Sequence, residues 1–122
     1  MAQHNQVVGK WGEQIANRHL AGLGYQIIST NHRTPYGEID IIAMDGSTLV
    51  FVEVKTRTST SLGNPEGSVT PRKQLHILNS AQHYLSTLDH PCDEWRVDVV
   101  AVTGKPDRPR IDIQVFKNAL YS

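Results

Sequence analysis

At 122 residues, 39% hydrophobic and 20% charged, the sequence has the composition of a single globular domain, which excludes a disordered or fibrous chain. No run approaches 18 apolar residues and the polar start, Met1 to Gln6, lacks a secretory pattern, so a cytoplasmic location is expected; a lone Cys92 excludes an internal disulfide and a multi-cysteine zinc site. The 12 basic and 12 acidic residues cancel, within residues 1–58 and within 59–122 alike, so any electrostatic footprint for a nucleic acid has to be local.

Val8, Trp11, Ile15, Ala16, His19, Leu20 and Leu23 fall on one side of a helical wheel, and Gly24-Tyr25 reads as a stop, which predicts a first helix over about residues 6–23. Tyr25 to Thr30 then reads as a short strand and Asn31 to Gly37 as a loop. Glu38 to Met44 and Thr48 to Arg57 are β-patterned runs joined at Asp45-Gly46, a hairpin signal with a loop of either two residues (Asp45 and Gly46) or four (Asp45 to Thr48). Thr58 to Pro71, rich in Ser, Thr, Gly and Pro, predicts a flexible loop of the kind that closes over ligands. Thr70 and Pro71 suit the cap and first position of a second helix to about Leu88, with Leu75, Leu78, Ala81, Leu85 and Leu88 facing a core. Trp95 to Val102 and Ile111 to Phe116 complete the pattern as strands around a turn over Gly104 to Pro109. The order α-β-β-β-α-β-β implies an α/β sheet with both faces covered.

The hairpin carries charges that cost energy where it places them. Glu53 and Lys55 project to the same face as Leu49 and Phe51, while Val50, Val52 and Val54 take the other. Either loop length puts Asp40 on the face of Glu53, diagonal to it for the shorter loop and directly opposite for the longer. Carboxylates that close repel one another unless a cation lies between them, and a hard divalent ion such as Mg²⁺, taking carboxylates, waters and phosphate oxygens, meets that need. A surface salt-bridge ladder is the plain alternative, but both faces of these strands are apolar, so the charges are not on a solvated side.

Other charged residues are weaker candidates. Glu13, at the edge of the first helix's apolar arc, has small neighbours at Gly9 and Ala16 that allow close approach of another element, making it a third acid for the site. Arg33, Arg57, Arg72 and Lys73 cluster around loops entering or leaving the site and are candidates for phosphate contacts. Glu38 and Gln74 are candidates for a supporting role. Asp98 reads as structural, satisfied by an Arg or Lys on a neighbouring element. His76 and His83, two helical turns and so about 10 Å apart, are too distant to chelate one ion.

Gly12-Glu13, Asn31-His-Arg33, Gly37-Glu-Ile-Asp-Ile-Ile-Ala43, Phe51-Val-Glu-Val-Lys-Thr-Arg57, Gly63, Lys73 and Arg96-Val-Asp-Val-Val-Ala-Val102 together resemble the YraN-like family of small bacterial proteins, over about Gly9 to Ala119. That family in turn resembles the archaeal Holliday-junction resolvases and the restriction-endonuclease-like group with its PD-(D/E)xK site. The resemblance implies a restriction-endonuclease-like mixed sheet flanked by helices, and an endonuclease acting on branched or damaged DNA. Because a neutral chain offers few phosphate contacts, useful DNA affinity is expected to need two chains, as a homodimer. It implies Asp40 as the motif acid, with Ile39 where the motif name has Pro, Glu53 and Lys55 as the (D/E)xK pair, and Glu13 as the helix acid. Asp40, Glu53, Glu13 and the main-chain carbonyl of Val54 would hold Mg²⁺ or Mn²⁺, and Lys55 would orient or deprotonate the attacking water. The alternative is a non-catalytic nucleic-acid-binding or scaffold domain that keeps the fold.

Overall fold

Apolar residues at helical spacing, and a glycine able to end the run, produce the first element of the computed structural model, which describes residues 2–58 and 69–119. Helix α1 spans Ala2–Gly22, beginning about four residues before the expected start near residue 6. It stops because Gly24 takes φ 96°, letting its N–H reach the Ala21 carbonyl and the Tyr25 N–H reach the Leu20 carbonyl, each at 3.0 Å. Ala16 and Leu20 are buried, but Leu23 is 58% exposed because it lies beyond the last helical residue, where wheel geometry no longer holds.

Strand β1 (Gln26–Thr34) is longer than its apolar pattern and includes Asn31 to Arg33, expected as loop. Asn31 adopts φ 50°, a conformation that asparagine tolerates, while its neighbours stay in register with β2 (Gly37–Asp45), Thr30 opposite Ile41 and His32 opposite Ile39. Pro35-Tyr36 makes the turn. Between β2 and β3 (Thr48–Arg57) the register is that of the four-residue loop, Met44 opposite Leu49, but Asp45 and Thr48 close one further pair, so that only Gly46-Ser47 turn, with Gly46 at φ 61°. That register, carried on from Ile41 opposite Val52, brings Asp40 level with Glu53.

Helix α2 (Pro71–Ser86) is capped by Thr70, whose hydroxyl accepts from the Lys73 N–H at 3.3 Å, with Pro71 in the first turn. Ile77, Ser80 and Ala81 are its buried residues; Leu78 and Leu85 pack at the margin, as does Leu88 beyond the helix end. Leu75, expected in the core, is 57% exposed, because the inward face is centred on Ile77 and Ala81. The expected flexible loop falls mostly on residues 59–68, Gly63 among them, outside the described residues.

Strands β4 (Trp95–Gly104) and β5 (Ile111–Phe116) complete a sheet of order β1-β2-β3-β4-β5. Every neighbouring pair is antiparallel except β3 and β4, which run parallel because α2 carries the chain back across the sheet. This is the mixed sheet flanked by helices, in the order α-β-β-β-α-β-β, that the sequence predicts. On one face α1 buries Ile41, Ala43, Val50, Val52, Val100 and Val102; on the other α2 covers Ile39, Ile42, Leu49, Phe51, Val97 and Val99. Among the described residues no helix is long and apolar enough to cross a membrane.

Two contacts hold this frame at opposite ends. A Cβ added at Gly12 would fall on the Thr56 hydroxyl and within 2.9 Å of the Thr56 Cβ, so α1 touches β3 at a bare backbone. The close approach is made at Gly12, not at Gly9, which has nothing within 4 Å of an added Cβ. At the other end Arg96 donates from Nε to Asp98 at 2.9 Å and from Nη2 to Asp45 at 2.8 Å and to the Tyr25 hydroxyl at 2.9 Å. Asp98, fully buried, also accepts from the Asn118 N–H at 2.8 Å; its charged partner, Arg96, is on its own strand and not on a neighbouring element. Burial works against the Arg96 charge, and the hydrogen bonds to Asp98 and Asp45 outweigh it, raising its pKa.

Gly12→Ala should lose about 1–3 kcal/mol in denaturant unfolding, since Thr56 is short and branched and cannot swing away. Gly9→Ala should instead be neutral or stabilising by up to about 1 kcal/mol. Asp98→Ala, which leaves Arg96 buried with fewer partners, should cost about 3–5 kcal/mol by the same measurement; a loss under about 1 kcal/mol would show the network to be ornamental.

Candidate metal and catalytic site

The site forms where β2 and β3 cease to pair. Their ladder runs from Asp45 opposite Thr48 to Ile41 opposite Val52, and at the next positions a side chain takes over: the Val54 N–H donates to Asp40 Oδ2 at 2.8 Å. Asp40 thus satisfies a main-chain donor that the strand partner no longer reaches. Glu53, only 8% exposed, adjoins it, close enough for its charge to act on the Asp40 carboxyl. Glu53 Oε1 also lies 3.5 Å from Lys55 Nζ and 3.7 Å from Lys73 Nζ, so one carboxylate oxygen holds two ammonium groups.

Helix α1 supplies the opposite wall. The Gly12 contact brings Glu13 down beside β1, where Asn31 Nδ2 donates to Glu13 Oε2 at 2.8 Å and to Glu38 Oε1 at 3.0 Å. Glu13, Glu38 and Asp40 each present an oxygen within 4.8 Å of the other two. A cavity of about 190 Å³, lined in part by Lys10, Gln14, Asn17 and Thr30, opens beside them. Asn17 Oδ1, on its edge, is buried with no hydrogen-bond partner among the described residues.

The structure thus brings together Asp40, Glu53, Lys55 and Glu13, and adds Glu38 and Asn31 to them. Glu38 had only a supporting part in the sequence reading. Asn31 enters the sequence analysis only within the Asn31-His-Arg33 match, with no role given to it, since its role depends on a backbone angle. Gln74 serves elsewhere, donating to the Val69 carbonyl at 3.0 Å beside the start of α2. Among the basic candidates Lys73 reaches the acids, Arg33 is an exposed side chain 3.8 Å from Glu38, Arg72 is exposed on the first turn of α2, and Arg57 ends β3.

Crowding has the electrostatic result expected of it. Burial first, then the charge of Glu53, push the Asp40 carboxyl up to about 8, against the opposing hydrogen bond from Val54, with Glu13 adding to the rise. Burial and the neighbouring Lys73 lower the pKa of Lys55, more than Glu53 restores it. A set of hard carboxylate oxygens that cannot all be ionised together, next to an amine eased toward its neutral form, is chemically suited to hold a divalent cation and to handle a proton beside it.

Residues 12–102 match the profile of the uncharacterised protein family UPF0102, to which the YraN-like proteins belong. The sequence is 45% identical over 123 aligned positions to a UPF0102 protein of Dehalococcoides mccartyi, covering 98% of both chains. It is 53% identical over 97 to one of Chlorobaculum parvum, covering 80% of this chain and 75% of the relative. A Geobacter sulfurreducens UPF0102 protein is 45% identical over 112, covering 91% of this chain and 88% of the relative.

Because Asp40 binds its proton more tightly folded than unfolded, the wild type loses stability as pH rises from about 4 through about 8, while Asn cannot titrate. In metal-free buffer Asp40→Asn should therefore match the wild type below about pH 4 and gain on it up to pH 8, by on the order of a few kcal/mol. Chemical denaturation across that range checks this; a variant less stable than wild type at pH 8 would make Asp40 an ordinary structural acid.

Proposed function

The chain belongs to the UPF0102 family, and from the site it carries we propose that it is a metal-dependent nuclease hydrolysing DNA phosphodiester bonds, with branched DNA as its preferred substrate. The observation that carries this reading is the Asp40 carboxyl, held beside Glu53 and within 4.8 Å of oxygens of Glu13 and Glu38, with Lys55 Nζ 3.5 Å from Glu53. Such a group of acids is costly to assemble without a cation, which favours a binding role over a structural one.

The donors are hard oxygens and suit Mg²⁺ or Mn²⁺; Asp40, Glu53 and Glu13, with the main-chain carbonyl of Val54, would hold it. When bound, the ion supplies charge neutralisation at the non-bridging phosphate oxygens and a more acidic water. The side chains have distinct tasks. Lys55, with its lowered pKa, orients the attacking water and accepts or returns its proton. Glu53 fixes Lys55 and Lys73 on one oxygen, leaving Lys73, about half exposed, to meet the phosphate. Asn31 keeps Glu13 and Glu38 turned toward Asp40 when no cation is present. Two chains paired about a two-fold axis would present two such sites to the symmetric strands of a junction in the cytoplasm. A scaffold that binds nucleic acid without cutting is the second reading, and the neutral composition favours it.

Mn²⁺ at a hundredfold excess over its dissociation constant should stabilise the wild type by about 2.7 kcal/mol, and Asp40→Asn should abolish the effect. Single-stranded, duplex, flap and four-way DNA incubated with Mg²⁺ or Mn²⁺ should be cut, the four-way form best. Lys55→Ala should bind but cut at least about 100-fold more slowly. Binding without cleavage by the wild type selects the scaffold reading, and a melting curve indifferent to Mn²⁺ removes the metal site.

A further inference from the structure

Neutral composition conceals a segregation of charge along the strands. Parallel β3 and β4 begin with Leu49 beside Trp95 and finish with Arg57 beside Thr103. Glu53 and Asp40 lie toward the finishing end, where the β1–β2 and β4–β5 turns also lie. Lys10, Arg33, Lys55 and Arg57 gather there, joined by Lys73, whose ammonium group reaches Glu53, and by its neighbour Arg72. The β4–β5 loop adds Lys105, Arg108 and Arg110. Of the 12 Lys and Arg, only Arg18, Arg96 and Lys117 stand elsewhere, and the last two are spoken for by Asp45 at the opposite end, where Asp93 and Glu94, just before Trp95, also lie.

The acids at the site end are mostly inside the cleft, Glu13, Glu38, Asp40 and Glu53, so a divalent ion would cancel charge there and leave the rim to the cations. Across the sheet from Lys10 and Arg33, the β4–β5 loop encloses a pocket of about 340 Å³ between Thr58, Thr103 and the three cations. Gly104, at φ 154°, lets the loop fold tightly, since a Cβ there would come within 2.9 Å of the Arg110 carbonyl oxygen. Asp107 and Asp112 are the loop's acids; Asp112 is 4.0 Å from Arg110 with both side chains well exposed, a weak pairing that leaves the guanidinium available. Cations on both sides of an acidic cleft match a polymer with regularly spaced phosphates.

We propose that the β4–β5 loop is a second phosphate-binding surface, on which Lys105, Arg108 and Arg110 take the backbone of the DNA arm beyond the strand engaged at the cleft. This rests on the reading of the cleft as a DNA-processing site. The arrangement gives a neutral protein a DNA-facing end and an acidic back, which orients the chain as it approaches a polyanion. None of the three residues belongs to the acid constellation.

The test is fluorescence anisotropy with a labelled four-way junction and a plain duplex, in Ca²⁺, over a range of salt. The combined Lys105→Ala, Arg108→Ala and Arg110→Ala variant should bind at least about tenfold more weakly at low salt, with the log–log salt slope flattened by about 2–3, each phosphate contact contributing about 0.9. Its melting temperature and its Mn²⁺ shift should equal the wild type's, which shows that the loop is not acting through folding or through the metal site. Lys117→Ala, at the opposite end, should bind as wild type. Unchanged affinity and slope in the triple variant, or an equal loss in Lys117→Ala, overturns the proposal. If the wild type cuts DNA and the triple variant binds normally, this surface alone is refuted. If the wild type binds through the loop yet never cuts with Mg²⁺ or Mn²⁺, the surface stands and the nuclease reading falls.

Discussion

The hydrogen bond from the Val54 N–H to the Asp40 carboxylate is the contact on which the rest of the arrangement depends. Where two central strands part, main-chain donors lose their partners, and a buried donor left unpaired costs about 1–3 kcal/mol. A side chain that fills the gap allows the strands to diverge without that cost, and divergence opens space beside Glu53. The acid that could bind a cation is therefore also the acid that lets the cleft exist. It cannot move far without exposing the backbone it serves.

Around this point the two helices have unequal parts. Helix α2 mainly covers a hydrophobic face, but its first turn brings Lys73 to Glu53. Helix α1 touches β3 at the bare backbone of Gly12, which brings Glu13 into reach of Asn31 one residue further on. Packing on both faces thus converges on one charged group, and each helix delivers one residue to it. The opposite end of the sheet has its own buried charges, Arg96 and Asp98, but these are fully paired with one another, with Asp45 and with the Asn118 N–H. The contrast separates two kinds of buried charge: paired groups that brace the fold, and like charges held together.

Much of this was legible in the residues. The seven elements and their order follow from periodicity, caps and turn residues, and the shared position of Asp40 and Glu53 follows from strand alternation. What was not legible depended on angles and distances that periodicity does not encode. The turn signal left two hairpin registers open; the one with Met44 opposite Leu49 forms, and Asp45, which also meets Arg96, stays in the ladder opposite Thr48. Asn31 lay in a stretch read as loop, and only its positive φ within a continuing strand turns its amide toward two acids. Gly9 and Ala16 are the small residues expected at the close helix contact; Ala16 is fully buried, but the bare-backbone contact is at Gly12 and not at Gly9, and a helical wheel does not say which glycine faces a strand. Leu75 was expected in the core because leucine spacing fitted, but Ile77 and Ala81 set the inward direction. Net charge is silent about where charges gather, because strands that reverse direction interleave in sequence residues that are far apart in space.

The parallel pairing of β3 with β4 bears on how the molecule is assembled. Strands β1, β2 and β3 are joined by tight turns, so their pairing closes only short loops, whereas β4 can pair with β3 only after α2 and its flanking segments have been spanned. Local pairings of this kind form ahead of long-range ones, and parallel pairing is the slowest class. Asp40 and Glu53 accordingly meet in an early meander, before α2 has docked to bring Lys73 beside them. The carboxylates face one another first without that compensating cation, so a proton on one of them eases the closing of the meander.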